Sequence, residues 1–154
     1  MLSETITLDL IQVGIEVANF EEGIRFSVEP LRQAGYVDQS YIDNIINIYK
    51  ETGPYIVIAP HIALPHAPSD SGAKKVGIGF MKLLTPVESG NKANDPVRYF
   101  FPLSAPDNTS HIELLSTLAQ LLGNEDFILG LEEVETKVDF VNLLKQFEGG
   151  TSYA

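Results

Sequence analysis

A mixed β-sheet covered by helices on both faces, an α/β fold, is what this sequence predicts, and three observations carry that expectation. Short β-prone runs crowd the middle of the chain, and amphipathic stretches with helical spacing stand on either side of them. With 154 residues, 44% of them hydrophobic, the chain has the length of one ordinary domain and enough apolar surface for one core. No internal repeat or low-complexity linker divides it, so a single domain over residues 1–154 is expected.

Residues 11–17 alternate apolar with polar or small side chains, the period of a half-buried strand. Asn19 then offers a helix cap, and Phe20, Ile24, Val28 and Leu31 form a stripe that runs until Gly35 supplies a left-handed stop. Ser40 and Asp43 read as a capping box for a second helix, with Ile42, Ile45, Ile46 and Tyr49 as its stripe and Gly53-Pro54 as its end. Residues 55–58, 62–64, 76–82 and 97–103 are the β-prone runs, separated by prolines, glycines and polar turns. The glycines alternating in Val76-Gly77-Ile78-Gly79-Phe80 fit close packing on a strand and lack the GK[ST] ending of a phosphate-binding Walker loop.

Residues 88–96 read as a surface connection. Helices return at 110–122, where Ser110 and Glu113 look like a capping box, at 125–134 after Asn124, and at 137–147 after Thr136. The glycine pair that follows marks residues 148–154 as a frayed tail.

Composition narrows the function. Twenty-one acidic residues against 10 basic ones leave a formal charge of −11, which repels polyanions on average, so nucleic acid is an unexpected partner. Such a charge serves solubility or attracts a basic protein partner. The longest apolar runs are far below the roughly 20 residues of a membrane span, and Met1-Leu2-Ser3-Glu4 lacks a secretory pattern. A soluble cytoplasmic protein is expected. The absence of cysteine removes disulfides, thiolate catalysis and cysteine zinc sites.

That leaves imidazole as the side chain able to act as a neutral nucleophile near neutral pH. The chain has three histidines, His61, His66 and His111. Pro65 holds Leu64 extended and supplies no donor, so it ends a strand and sets the direction in which His66 leaves it. Fixed orientation is what phosphoryl transfer asks of a nucleophile, because its catalysis is mostly positioning and electrostatics. His111 falls in the first turn of a helix, where unpaired N–H groups and the positive end of the dipole favour an anion. The competing readings are an ordinary Pro-His turn, a solvated helix cap, and a zinc site from the three histidines, which no HExxH pattern supports.

Gly53-Pro54-Tyr55, Ala63-Leu64-Pro65-His66-Ala67, Gly72-Ala73-Lys74-Lys75, Asn94-Asp95-Pro96-Val97 and the run from Asp107 to His111 together resemble a known family. It is the IIA proteins of the bacterial phosphoenolpyruvate-dependent sugar phosphotransferase system, of the mannitol/fructose fold class and, within it, the ascorbate-type branch. The resemblance runs from about residue 6 to 147 and implies a phosphocarrier with a mixed sheet flanked by helices. The histidine matching His66 would take a phosphoryl group from the phosphohistidine of HPr and pass it to a IIB protein, with a membrane IIC protein involved only indirectly. The histidine matching His111 would support the phosphorylated state, and Ser110, His61 and Lys50 are candidate supporting residues. No metal or cofactor is required, since the donor is already activated.

Three departures stand out. Lys50 lies near a position where mannitol-type members carry arginine, and a lysine gives a point charge in place of a fork for two phosphoryl oxygens. Pro68 stands where ascorbate-type relatives often have a basic residue, and His61 where glycine is frequent. Ascorbate or a related sugar acid is the cargo that the branch resemblance implies. The alternative is a regulatory protein that docks to regulators or transporters according to its phosphorylation state.

Overall fold

A computed structural model describes residues 2–151 of the chain. In chain order the elements are α1 (Leu2–Thr5), a 3-10 turn at Leu8–Leu10, β1 (Ile11–Ile15), α2 (Phe20–Gln33), α3 (Gln39–Thr52), β2 (Val57–Ala59), β3 (Ile62–Ala63), β4 (Gly77–Ile78), β5 (Phe80–Val87), β6 (Val97–Phe100), β7 (Leu103–Ser104), α4 (Asn108–Leu122), α5 (Glu125–Glu132) and α6 (Lys137–Thr151). Five strands form one sheet in the order β1-β5-β6-β3-β2, while β4 and β7 pair separately. The sheet is mixed: β1 with β5 and β3 with β6 are parallel, and β5 with β6 and β2 with β3 are antiparallel.

Both faces of the sheet are covered, as expected, and adjacent strand residues show how. On one face Phe100 of β6 meets Phe20 of α2, with ring centroids 5.7 Å apart. On the other, Phe80 of β5 stacks on Phe140 of α6 at 3.9 Å with a 7° interplanar angle. Met81, not Phe80, pairs with Phe100, so the two aromatic clusters lie on opposite sides of the pleat. The stripe Phe20, Ile24, Val28 and Leu31 is fully buried beneath α2.

Local chemistry explains the helix ends. Asn19 accepts from the Glu22 amide and caps α2. Pro30 inside α2 has no N–H for the Phe26 carbonyl, and Gln12 on β1 donates to that carbonyl instead at 2.8 Å. Gly53, at φ 94°, ends α3 in a conformation that side-chain-bearing residues avoid. A Cβ at Gly77 would sit 2.5 Å from the Tyr36 ring, which fulfils the close packing expected of that strand.

Several boundaries differ from the sequence expectation. Asp38, not Ser40, occupies the N-cap of α3, and Ser40 lies inside the first turn facing Ser71. The run 76–82 splits at Gly79 into β4 and the longer β5, and the run 97–103 splits after Phe100 into β6 and β7. The last helix continues through Thr151, past residue 148 where a tail is expected. Glu148 accounts for it: the side chain is 9% exposed and its two oxygens accept from the Ser3 amide and hydroxyl, both at 2.9 Å, which ties α6 to α1. The remaining part of the expected tail, 152–154, lies outside the described residues. Among the described residues no helix is long and apolar enough to cross a membrane.

Candidate functional site

The chain leaves β3 through Leu64 and Pro65 and is clamped there by three backbone bonds to two neighbouring segments. Leu64 donates to Ile56 at 2.8 Å, Leu103 donates to the Pro65 carbonyl at 3.0 Å, and Phe101 donates to Ala63 at 2.9 Å. Tyr41 adds a buried bracket, since its hydroxyl donates to the Leu103 carbonyl at 2.7 Å and accepts from the Ala67 amide at 3.2 Å. Burial pushes that phenol up to about 12, so it keeps the proton it donates. Tyr55 donates its hydroxyl to the His66 carbonyl and sets its ring edge against the imidazole, with centroids 5.6 Å apart. The backbone on both sides of His66 is thus held before any substrate arrives.

The ring itself is fixed by a local bond. His66 Nδ1 lies 2.6 Å from the Leu64 carbonyl oxygen. A carbonyl can only accept, so Nδ1 carries the proton and Nε2 carries the lone pair. Burial pushes the imidazole below its ordinary value; the Leu64 carbonyl opposes this and the neighbouring His111 adds to it. The resulting neutral ring presents an unprotonated Nε2.

His111 stands beside it, with the two ring centroids 5.5 Å apart and the planes at 47°. It reaches that place through α4, whose N-cap is Asp107 and not Ser110. Asp107 has extended backbone, accepts from the Ser110 amide at 2.8 Å, and holds the Ser110 hydroxyl on its carbonyl at 3.2 Å. The His111 amide is already bonded to the Asp107 carbonyl at 3.1 Å. What His111 offers a ligand is therefore its ring, not an unpaired backbone donor, and Ser110 acts within the cap.

The other two candidates lie elsewhere. His61 precedes β3 and so stands at the opposite end of that strand from His66; its amide bonds to Asn94 at 2.8 Å and its Nδ1 to the Pro96 carbonyl at 2.8 Å. Its φ of 69° is a left-handed backbone that glycine adopts most easily. With His61 apart from the other two, the three imidazoles form no common ligand set. Lys50, in the last turn of α3, pairs with Glu21 of α2 at 3.3 Å.

Tyr41, Tyr55 and Asp107 are the site residues that spacing alone did not single out. Tyr41 and Tyr55 act across 62 and 11 residues of chain, so no local pattern signals them. Asp107 does carry a local signal, because Asp three residues before an eligible Ser competes with it as the cap.

Comparison with known proteins identifies the fold and the family. Residues 4–147 match the family described as the phosphoenolpyruvate-dependent sugar phosphotransferase system, EIIA 2. An ascorbate-specific PTS system EIIA component of Escherichia coli is 29% identical over 135 residues, covering 87% of this chain and 88% of the relative. One from Salmonella choleraesuis is 33% identical over 104 residues, 68% of each chain. Among solved structures, the mannitol-specific cryptic phosphotransferase enzyme IIA of Escherichia coli superposes with a TM-score of 0.86 at 28% identity, covering 94% of this chain and 98% of that one. The mannitol IIA of the same organism, in complex with phosphorylated IIB, gives 0.80 at 26% identity with 92% and 97% covered. The chain belongs to the EIIA type 2 family of the phosphoenolpyruvate-dependent sugar phosphotransferase system.

Proposed function

We propose that the protein is a cytoplasmic phosphocarrier that accepts a phosphoryl group on Nε2 of His66 from phospho-HPr and passes it to a IIB protein. The observation that carries this reading is the Leu64 carbonyl 2.6 Å from His66 Nδ1, which leaves the opposite nitrogen unprotonated and aimed by a clamped backbone. In the forward step the Nε2 lone pair attacks phosphorus. The new N–P bond forms as the N–P bond of the donor phosphohistidine breaks, and that bonding pair returns to the donor ring. No proton has to leave His66. The phosphorylated ring keeps its Nδ1 proton and becomes formally cationic, and the Leu64 carbonyl is placed to stabilise that charge.

His111, 5.5 Å from the His66 ring, is the residue positioned to donate to a phosphoryl oxygen. Ile112, next to it, is 65% exposed and gives the surface beside the pair an apolar contact for a protein partner. The chain's charge of −11 favours a basic one. The mannitol IIA neighbour, solved in complex with phosphorylated IIB, supports a IIB protein as the acceptor. Ascorbate or a similar sugar acid is the cargo suggested by the ascorbate-specific relatives.

Intact-mass analysis after incubation with phosphoenolpyruvate, enzyme I and HPr tests the reading. One acid-labile phosphoryl group on the wild type and none on His66→Ala is the expected result. Uptake by the His66→Ala protein, or none by the wild type while HPr is phosphorylated, overturns it.

A further inference from the structure

A polar cleft opens at the His61 end of β3, beside the C-terminal end of α5. Two adjoining hollows of about 240 and 200 Å³ share Arg98, Tyr99 and Glu132; Lys82 lines the first and His61 the second. We propose that this cleft is a binding site for a small hydroxylated oxyanion, separate from the histidine pair and independent of its role. Arg98 and Tyr99 would donate to the oxyanion, Lys82 would add charge, and Glu132 would accept from the hydroxyl.

Each assignment rests on what the group already does. Between the pairs Lys82–Tyr99 and Val87–Val97 the β5–β6 ladder is irregular, and Arg98 turns its Nη1 to the carbonyls of Leu83 and Leu84 at 3.0 and 3.2 Å. The Nε and Nη2 donors of that guanidinium have no hydrogen bond among the described residues. Lys82 gives its ammonium to the carbonyls of Leu131, Glu132 and Val134 at 3.1, 2.8 and 2.8 Å, so its donors are spent while its charge is not. Among the described residues neither cation has a carboxylate at ion-pair distance. Glu132, Glu133 and Glu135 act on Lys82 only from beyond that distance, so neither cation is held in a close ion pair.

Tyr99 is the second, independent observation. It lies opposite Lys82 in the strand pair, is only 3% exposed, and its buried hydroxyl has no hydrogen-bond partner among the described residues. Buried hydroxyls are ordinarily satisfied, so this one awaits a group that enters the cleft. Burial, with Glu132 adding to it and Arg98 opposing, pushes the phenol up to about 12, which keeps it a donor at neutral pH. The carboxylate of Glu132 repels a bare anion and welcomes one that brings a neighbouring hydroxyl. Hydroxy acids and phosphorylated polyols share that chemistry.

Glycerate and glycerol 3-phosphate are suitable probes, titrated separately into the full-length His66→Ala protein so that the histidine pair contributes nothing. Backbone amide shifts read the site and the dissociation constant. Saturable binding of at least one probe is expected, with the largest shifts at His61, Arg98 and Tyr99, and the tighter probe identifies carboxylate or phosphate as the recognised group. Tyr99→Phe breaks no existing hydrogen bond and should fold as well as its parent, yet weaken binding roughly tenfold, as should Arg98→Gln. No saturable binding of either probe, or unchanged affinity in Tyr99→Phe, overturns the proposal without touching the phosphoryl chemistry of His66.

Discussion

Pro60-His61 and Pro65-His66 are the same dipeptide at the two ends of the two-residue strand β3, yet the fold treats them in opposite ways. At the first, proline closes the β2–β3 hairpin, and His61 takes the left-handed turn position at φ 69° with an exposed ring bonded to Pro96. At the second, proline carries the chain off the sheet into a clamp of Leu103, Tyr41 and Tyr55, and the half-buried ring is set against His111. The dipeptide alone decides neither outcome. What differs is what stands against the ring: Tyr55 and His111 pack on the half-buried imidazole of His66, whereas that of His61 stays exposed. That condition separates the proposed acceptor histidine from a turn histidine with the same neighbour.

Removing each ring in turn separates the two ends of β3. His66→Ala should lose all phosphoryl uptake in the phosphoenolpyruvate, enzyme I and HPr assay while keeping its circular-dichroism spectrum, because the ring makes one local bond and the clamp is built from backbone and tyrosines. His61→Ala should take up one phosphoryl group as the wild type does. A phosphoryl group on His61 in the first variant would show that the two ends are chemically equivalent.

The next effect is smaller and belongs to the partner ring. With His111→Ala, uptake at His66 should still go to completion but at a rate lower by about 10²-fold, the scale for losing one oriented donor to a developing oxyanion. Rapid-quench measurement of the first turnover reads this directly. An unchanged rate would leave His111 as a residue of the α4 first turn and nothing more.

How much of this was legible in the sequence follows the range of the interactions. The stripe of α2 and its Asn19 cap were readable because both repeat within one or two turns of helix. The α3 and α4 caps were misplaced because Asp38 and Ser40, like Asp107 and Ser110, are all eligible cap residues; backbone dihedrals choose between them, and both aspartates have the extended φ and ψ a cap needs. At Gly79, between β4 and β5, the amide bonds to the Pro102 carbonyl at 2.9 Å, a partner from another part of the chain that no local pattern signals. Within the site, His66 and His111 could each be nominated from a local pattern, but their 5.5 Å approach is a product of topology. Lys50 looked available for an anion in the sequence, and Glu21 from the neighbouring helix is what it meets in the fold.

The two ends of β3 should also differ in titration. Burial lowers the folded-state pKa of His66 beneath the ordinary 6.5, so between those two values the unfolded chain binds more protons than the folded one. Stability from this source is present above about pH 6.5 and is lost as pH falls through the folded pKa. Histidine ring resonances followed by NMR should therefore place the midpoint of His66 below 6.5, and denaturant midpoints should fall more between pH 7 and pH 5 in the wild type than in His66→Asn. A His66 midpoint at or above 6.5 would remove burial as a reason the ring is neutral and its Nε2 unprotonated.

The smallest expected effect is at His61 itself. A residue with a side chain in the left-handed region costs about 1–2 kcal/mol relative to the right-handed alternatives, a penalty that glycine escapes. His61→Gly removes that penalty but also removes the 2.8 Å bond from the ring to the Pro96 carbonyl, which is worth about 0.5–1.5 kcal/mol at a site this exposed. Glycine also gives the unfolded chain more freedom, which returns some of the gain. These opposing contributions leave a net change within about 0.5 kcal/mol of zero, read as the shift in urea midpoint at constant slope. A loss of 2 kcal/mol or more would mean that the His61 ring holds the β2–β3 hairpin against the loop at Pro96 more firmly than one exposed hydrogen bond can. The two Pro-His steps would then differ in which structure they support, and the left-handed backbone would be a strain that the imidazole is kept to offset.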